Sequence, residues 1–458
     1  MPHDTLLKGC ELHVHLGGCY YLEDLLDLGR PVYREVDWGL FADSFERAFG
    51  RRPDAVALFE AALSGALPGL QALRDHYVFA PEDGGDFQRF MAKLNLLICL
   101  FRHWRARHGG AGPLVRRAVE RHRREGLDYV EYRAMFGRGA DDAESFLRFH
   151  AENAQAIRDA GGGGLEARYV VSVPRWEPLS GLHLVQRILD ERPDLVDTIV
   201  GLDLCHFEEG YPPRRARALF RHLQVHNRRH PERALEVVYH VGEIFFDKSL
   251  ESAVRWCHQA AELGARRLGH AIALGLDPEA AVARGLEAHV TESVAERLDQ
   301  IAYDLEHAAA LAAAGVPVEA QALEEERAAL RRRRGRVRRP YTLERLSQVR
   351  RRQDFVLARL VELGTVIETC PTSNLRLGWV PRPEDHPLHR FLSSGVNLVI
   401  GADDPGIFDS PLATEVDWVA RQTGHSPASL ARRLGDPRRF RLGQRRHGRQ
   451  EPQEIDTR

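Results

Sequence analysis

Ala234-Leu-Glu-Val-Val-Tyr-His240-Val-Gly-Glu243 is a short, β-branched apolar run that ends in a histidine and, three residues later, a carboxylate. Its length and composition predict a buried strand with polar groups where the strand stops. Seven other runs share the design, at 10–18, 127–136, 166–173, 197–205, 266–274, 365–373 and 397–405. Between them lie helix-period amphipathic stretches such as Gly112–Arg124, Ala143–Ala160 and 250–263. Strand–helix alternation implies parallel strands joined by right-handed crossovers. Eight such units favour a closed barrel, an α/β fold of the (β/α)8 TIM type, over an open sheet.

The polar residues of these runs collect at their C-terminal ends. The first carries His13-Val-His15, the fifth His240 and Glu243, the sixth His270, the seventh Thr372-Ser-Asn374 and the eighth Asp403-Asp404. Barrel enzymes assemble their sites at these strand ends. Histidines scattered through a core would not respect that rule.

Two residues apart on a strand, His13 and His15 face the same way and can reach one ion. Alone, the dipeptide reads equally well as two polar residues lining a barrel. His240 and Asp403 shift the balance, because three imidazoles and one carboxylate make a nitrogen–oxygen donor set suited to zinc, with room for a water. The chain has only three lysines, Lys8, Lys93 and Lys248, and none lies in the fourth run, where a carboxylated lysine would bridge two metals. One Zn2+ per subunit is therefore expected. Metal binding lowers the pKa of water toward neutrality. His270, on the next strand, is placed to accept from or orient that water. Glu243 can donate a proton to a substrate nitrogen if its pKa is raised; the plainer alternative is a carboxylate favoured by a helix N-terminus. Asp404, adjacent to a ligand, is expected to face the substrate.

Five pieces in order, Glu11-Leu-His-Val-His-Leu16, His240-Val-Gly-Glu243, Leu268-Gly-His270, Cys370-Pro-Thr-Ser-Asn374 and Asp403-Asp-Pro405, resemble the adenosine deaminase branch of the metal-dependent amidohydrolase superfamily. The resemblance runs from about residue 9 to 420. It implies zinc-dependent hydrolytic deamination of a 6-aminopurine nucleoside, adenosine or a close relative, with release of ammonia. Glu243 would protonate ring N1, a hydroxide held by His270 and Asp403 would attack C6, and Asp404 would bond N7. The stretch 87–94, with Phe90, looks like the family's helical lid, although an amphipathic helix packed on the barrel has the same pattern.

Two positions depart from the family. Gly17 stands where an acidic or amide side chain usually meets the ribose, and a glycine there leaves room for a 5′-substituent. His206, after the fourth run, replaces a small glycine-bearing turn; it either reshapes the base pocket or points to solvent. Adenine, or a 5′-substituted or modified nucleoside or nucleotide, is therefore the alternative substrate, and a non-catalytic assembly barrel a more distant one.

The remainder of the sequence sets bounds. Hydrophobic residues at 43% and charged residues at 28% fit a globular chain with a large core, and a net charge of -2 points to neither membrane nor nucleic acid. Six scattered cysteines form no C-x-x-C pair, the first ten residues lack a signal peptide's apolar core, and no apolar run is long enough to span a membrane. A cytoplasmic protein is expected. Residues 1–420 are read as the deaminase barrel, including a mainly helical insertion after strand six at 277–354. That insertion holds twelve arginines against one acid between Arg327 and Arg352. Nucleic-acid binding is unlikely without interleaved aromatics. A solvated face, or pairing with Glu324–Glu326 of another subunit in a homo-oligomer, explains the block more simply. Residues 421–458 are read as a C-terminal extension, disordered from Arg438 onward.

Overall fold

The computed structural model describes residues 6–137, 142–245, 247–283, 289–377 and 380–444. Among them are ten strands: β1 (Cys10–His15), β2 (Tyr129–Met135), β3 (Glu166–Ser172), β4 (Ile199–Leu204), β5 (Glu236–Val241), β6 (Arg267–His270), β7 (His289–Ser293), β8 (Arg336–Pro340), β9 (Val366–Thr369) and β10 (Asn397–Ile400). Eight form one parallel sheet in the order β1-β2-β3-β4-β5-β6-β9-β10. A parallel bridge between Val14 and Asp403 brings its two edges together. There the His15 amide donates to the Asp403 carbonyl at 2.8 Å and the Asp403 amide to the His13 carbonyl at 2.9 Å. The expected (β/α)8 barrel is the observed fold.

All eight expected runs contain a barrel strand, and most extend beyond it at the C-terminal end. The overshoot has a physical cause. The polar end residues sit in the turn that leaves the strand, and two of them, His270 (φ 64°) and Asp403 (φ 61°), take left-handed backbone conformations unusual for residues with a Cβ.

The barrel interior is ionic where the strand sequences read as apolar. Glu131 and Arg133 on β2, Arg267 on β6 and Glu368 on β9 are all fully buried. Arg133 donates to Glu368 at 2.6 Å, Arg267 donates to the other Glu368 oxygen at 2.6 Å, and Arg267 also bonds Glu131. Each buried charge is thus compensated, as burial demands. This layer lies directly beneath the strand ends.

The insertion is not wholly helical. Helices Pro278–Ala283, Val294–Glu306, Ala308–Ala313 and Ala320–Leu330 are joined by an antiparallel pair, β7 with β8. The arginine run ends as β8 because its alternation suits a strand: Val337 packs toward Val294, Ile301 and Leu330, while Arg336 and Arg338 are exposed. The next helix, Leu343–Leu363, packs against Leu250–Glu262 and so serves the barrel itself. Glu324 and Glu326, expected to meet arginines of another subunit, are paired within the chain, with Arg327 and Arg297.

The C-terminal extension also departs from expectation. Helices Leu412–Thr423 and Pro427–Leu434 are followed by ordered chain through residue 444. Phe440 packs with Cys10, Leu12, Tyr129, Val366 and Val399, and Leu442 with Val170, Val200 and Val238. Two apolar side chains among arginines are enough to anchor the segment against the barrel strands, because each buries its surface among apolar strand residues. Residues 445–458 lie outside the described residues. No helix among the described residues is long and apolar enough to cross a membrane.

Candidate active site

His13, His15, His240, His270 and Asp403 meet at the C-terminal mouth of the barrel. His13 and His15 project from β1, and their ring centroids lie 5.7 Å apart. His240 projects from β5, its ring 4.8 Å from that of His13 and 5.3 Å from that of His15. Asp403, just past β10, places Oδ1 3.3 Å from His15 Nε2 and 3.6 Å from His13 Nε2. His15 Nε2 and His240 Nε2 are 3.3 Å apart. In a tetrahedral zinc site with bonds of about 2.0–2.1 Å, donor atoms stand about 3.3–3.4 Å from one another. His13, His15 and Asp403 form one group of possible metal ligands with donor atoms within 4.8 Å of one another, and His13, His240 and His270 form a second that shares His13.

The outer partners fit a metal site as well. His13 Nδ1 faces Glu368 Oε2 at 2.8 Å, and His240 Nδ1 faces Asp203 Oδ1 at 2.9 Å. At His240 the carboxylate holds the proton on Nδ1 and turns the Nε2 lone pair toward the mouth, as metal-binding histidines require. His13 Nδ1 also lies 3.2 Å from Arg133 Nη1, and against the downward pull of burial the Glu368 charge raises the His13 pKa to about 9. His13 Nε2 is buried and has no hydrogen-bond partner among the described residues. An orphaned buried nitrogen aimed at two other donors is the clearest sign that a cation belongs there. Burial drives His240 down to about 3, and His15 to about 4, so both are neutral lone-pair donors near pH 7.

The remaining candidate groups surround this cluster. His270 Nδ1 is held by Asn374 Oδ1 at 2.9 Å, which leaves Nε2 3.5 Å from Glu243 Oε1 and 4.0 Å from Asp403 Oδ2. Burial raises the Glu243 carboxyl above its ordinary range, favouring the protonated form. Asp403 and Asp404 diverge. Burial alone would raise Asp403, but the adjacent His13, with Nε2 3.6 Å from Oδ1, holds it well below the carboxylate range. Burial and the neighbouring Asp403 charge push Asp404 well above that range, so it stays protonated and can donate.

The three candidate substrate contacts fare differently. Gly17 is exposed, with open space where a Cβ would stand. Phe90 is buried on the helix Phe87–His108, its ring against Phe79 and Phe408, so it supports the mouth from behind. Phe87, one turn earlier on the same helix, is the residue that reaches across to Phe207. His206 has a left-handed backbone (φ 76°) and an exposed side chain, its ring edge-on to Trp176.

Several residues of the site were not legible as such. Glu208, from the same loop as His206, is buried and accepts the backbone N–H groups of Gly242, Glu243 and Ile244 at 3.1–3.3 Å. It thereby fixes the turn that carries Glu243. Arg175 binds the carbonyl oxygens of Cys205 and His240, tying β4 to β5. Gly18 is required because a Cβ there would lie 1.9 Å from Asp404 Oδ1. The sequence signals were slight: acids inside strand or loop runs, and a second glycine after Gly17.

The mouth of this (β/α)8 barrel thus gathers imidazole and carboxylate groups of the kind that can hold a metal, with a carboxyl group and an oriented histidine beside them. Residues 344–435 match the family model for adenosine deaminase. An adenine deaminase of Rhizobium leguminosarum bv. trifolii is 43% identical over 75 residues, 16% of this chain and 23% of that one. The chain thus aligns with about a quarter of the length of that curated relative. The fold reaches further. An adenine deaminase structure from Arthrobacter aurescens covers 96% of both chains at a TM-score of 0.53 and 16% identity. The structure of Arabidopsis ADAL complexed with GMP covers 98% of this chain and 96% of its own, at a TM-score of 0.55 and 14% identity.

Proposed function

We propose that this protein is a metal-dependent hydrolase that deaminates a 6-aminopurine, releasing ammonia and the 6-oxo product. The convergence of His13, His15, His240 and Asp403 around an unpartnered His13 Nε2 carries the reading. The match of residues 344–435 to the adenosine deaminase family model supports a 6-aminopurine substrate. A divalent cation held by these four residues, zinc by the donor chemistry, would supply Lewis-acid activation of water.

The chain's own groups supply the proton transfers. His270, oriented by Asn374, presents Nε2 between Glu243 and Asp403 and can take a proton from the attacking water. Glu243, its pKa raised by burial and its backbone held by Glu208, can deliver a proton to a ring nitrogen as C6 becomes tetrahedral. Asp404, protonated against its neighbour, can donate to a second ring nitrogen and fix the purine's orientation. The electrostatic split between Asp403 and Asp404 thus gives adjacent residues opposite tasks.

A nucleoside is the first substrate to expect, with the open space at Gly17 favouring a second reading in which the substrate carries a 5′-substituent such as phosphate. Ammonia release should be followed on adenine, adenosine, deoxyadenosine and the adenine nucleotides with the metal-loaded protein. Turnover of at least one is expected. Failure on all of them, with metal bound at the mouth, overturns the proposal.

A further inference from the structure

A second cluster of ligand-type side chains lies on the outer helices. His258 and Glu262 stand one turn apart on the helix Leu250–Glu262, so they share a face. His307 closes the helix Val294–Glu306, which belongs to the insertion. Because the first helix follows β5, its C-terminal end lies toward the barrel floor, opposite the mouth.

The hydrogen bonds fix the tautomer of His307 and the ring orientation of His258. His307 Nδ1 contacts the Tyr303 carbonyl at 3.0 Å, and a carbonyl only accepts, so Nδ1 carries the proton. His307 Nε2 then faces Glu262 Oε1 at 3.4 Å. His258 Nδ1 meets the Tyr303 hydroxyl at 2.7 Å, while its Nε2 stands 3.5 Å from the same Glu262 oxygen. His258 is fully buried, and that Nε2 has no hydrogen-bond partner among the described residues. All three donor atoms lie within 4.8 Å of one another. One residue, Tyr303, therefore orients both imidazoles, in the way an outer partner orients metal ligands.

A proton on His307 Nε2 would satisfy the pair with Glu262 but leave His258 Nε2 orphaned. A single divalent cation satisfies all three atoms, and separations of 3.4 and 3.5 Å match the edge of a tetrahedral zinc site, about 3.3–3.4 Å. Glu306 adds negative charge nearby; Arg359, the opposing charge, is paired with Glu362. The Glu262 side chain is 36% exposed, which leaves a route in and a place for a water ligand.

From this geometry we infer a second transition-metal site, of the zinc class, formed by His258, Glu262 and His307. It joins the insertion to the barrel's outer helices. None of its residues belongs to the mouth, and the site stands whether or not the proposed activity does.

The test uses the full chain, stripped with a chelator and titrated with Zn2+ alone, with bound metal counted per chain after desalting. Wild type is expected to retain one ion more than H307A and one more than E262Q, whatever the mouth holds. Zn2+ should also raise the melting temperature of the wild type by more than that of either variant. Both substitutions lie at partly exposed positions, and circular dichroism confirms that each variant is folded. Equal metal counts in wild type and both folded variants overturn the inference and leave His307 as a simple ion pair with Glu262.

Discussion

The barrel mouth and the insertion are built from the same residue types, histidine, arginine and carboxylate, and use them differently. At the mouth the groups are mostly buried and shared: Glu368 serves His13, Arg133 and Arg267 at once. In the insertion the pairs are mostly one to one, as with Arg297–Glu326, Arg352–Asp304 and Arg345–Glu251. Sharing in a low-dielectric interior couples the members, so removing one disturbs the rest. One-to-one pairs nearer the surface act nearly independently. Charge pattern alone therefore says little about function; the number of partners per buried group says more.

This contrast ranks the expected effects of mutation. His240→Ala should abolish both turnover and metal retention at the mouth, read by ammonia release and metal analysis. A variant that keeps full activity would mean the cluster is structural. Glu243→Gln should keep the metal but slow turnover by about 10²–10⁴-fold. Burial raises the Glu243 pKa, so its protonated form is present below that raised value and lost as pH rises through it. The pH profile of wild-type kcat/KM should accordingly show an alkaline limb that disappears in the Gln variant.

Asp203→Asn should weaken metal affinity by about 10–100-fold, since it removes the carboxylate that orients His240. A chelator competition measures this, and an unchanged affinity would show that the imidazole needs no such support. The smallest effect belongs to the insertion. Arg345 grips Glu251 at 2.6 and 3.0 Å and is largely buried, so Arg345→Ala should cost about 2 kcal/mol of stability without changing kcat. Arg345 holds the Glu251 pKa down to about 2 from an ordinary 4.5, against the upward pull of burial. The pair's contribution is thus present above about pH 4.5 and lost as pH falls toward 2; in denaturant melts the gap between wild type and R345A should close over that range.

Sequence pattern alone revealed the eight barrel strands, because each buried parallel strand is a short apolar run and the mouth residues fall at the ends of those runs. The four metal-type residues were legible for the same reason. Partners drawn from other strands were not. Glu368 and Asp203 sit inside apolar runs, and nothing in one strand tells which side chain of another it will meet. Glu208 was passed over beside His206, though its two oxygens hold the turn that carries Glu243. In the arginine run of β8 charge hides the strand alternation within a mainly helical stretch, and its pairing with β7 reveals the strand. The tail was misjudged because Phe440 and Leu442 are too few to register as periodic, yet each fills a gap in the barrel floor.

In the proposed reaction, water enters the substrate's C6 position at the mouth. The most direct measurement is deamination in ¹⁸O-labelled water by the metal-loaded protein, with the purine product analysed by mass spectrometry. One labelled oxygen per product and one ammonia released per turnover are predicted, with both lost in His240→Ala. Product without label, or labelled product formed equally well by that variant, would contradict the account.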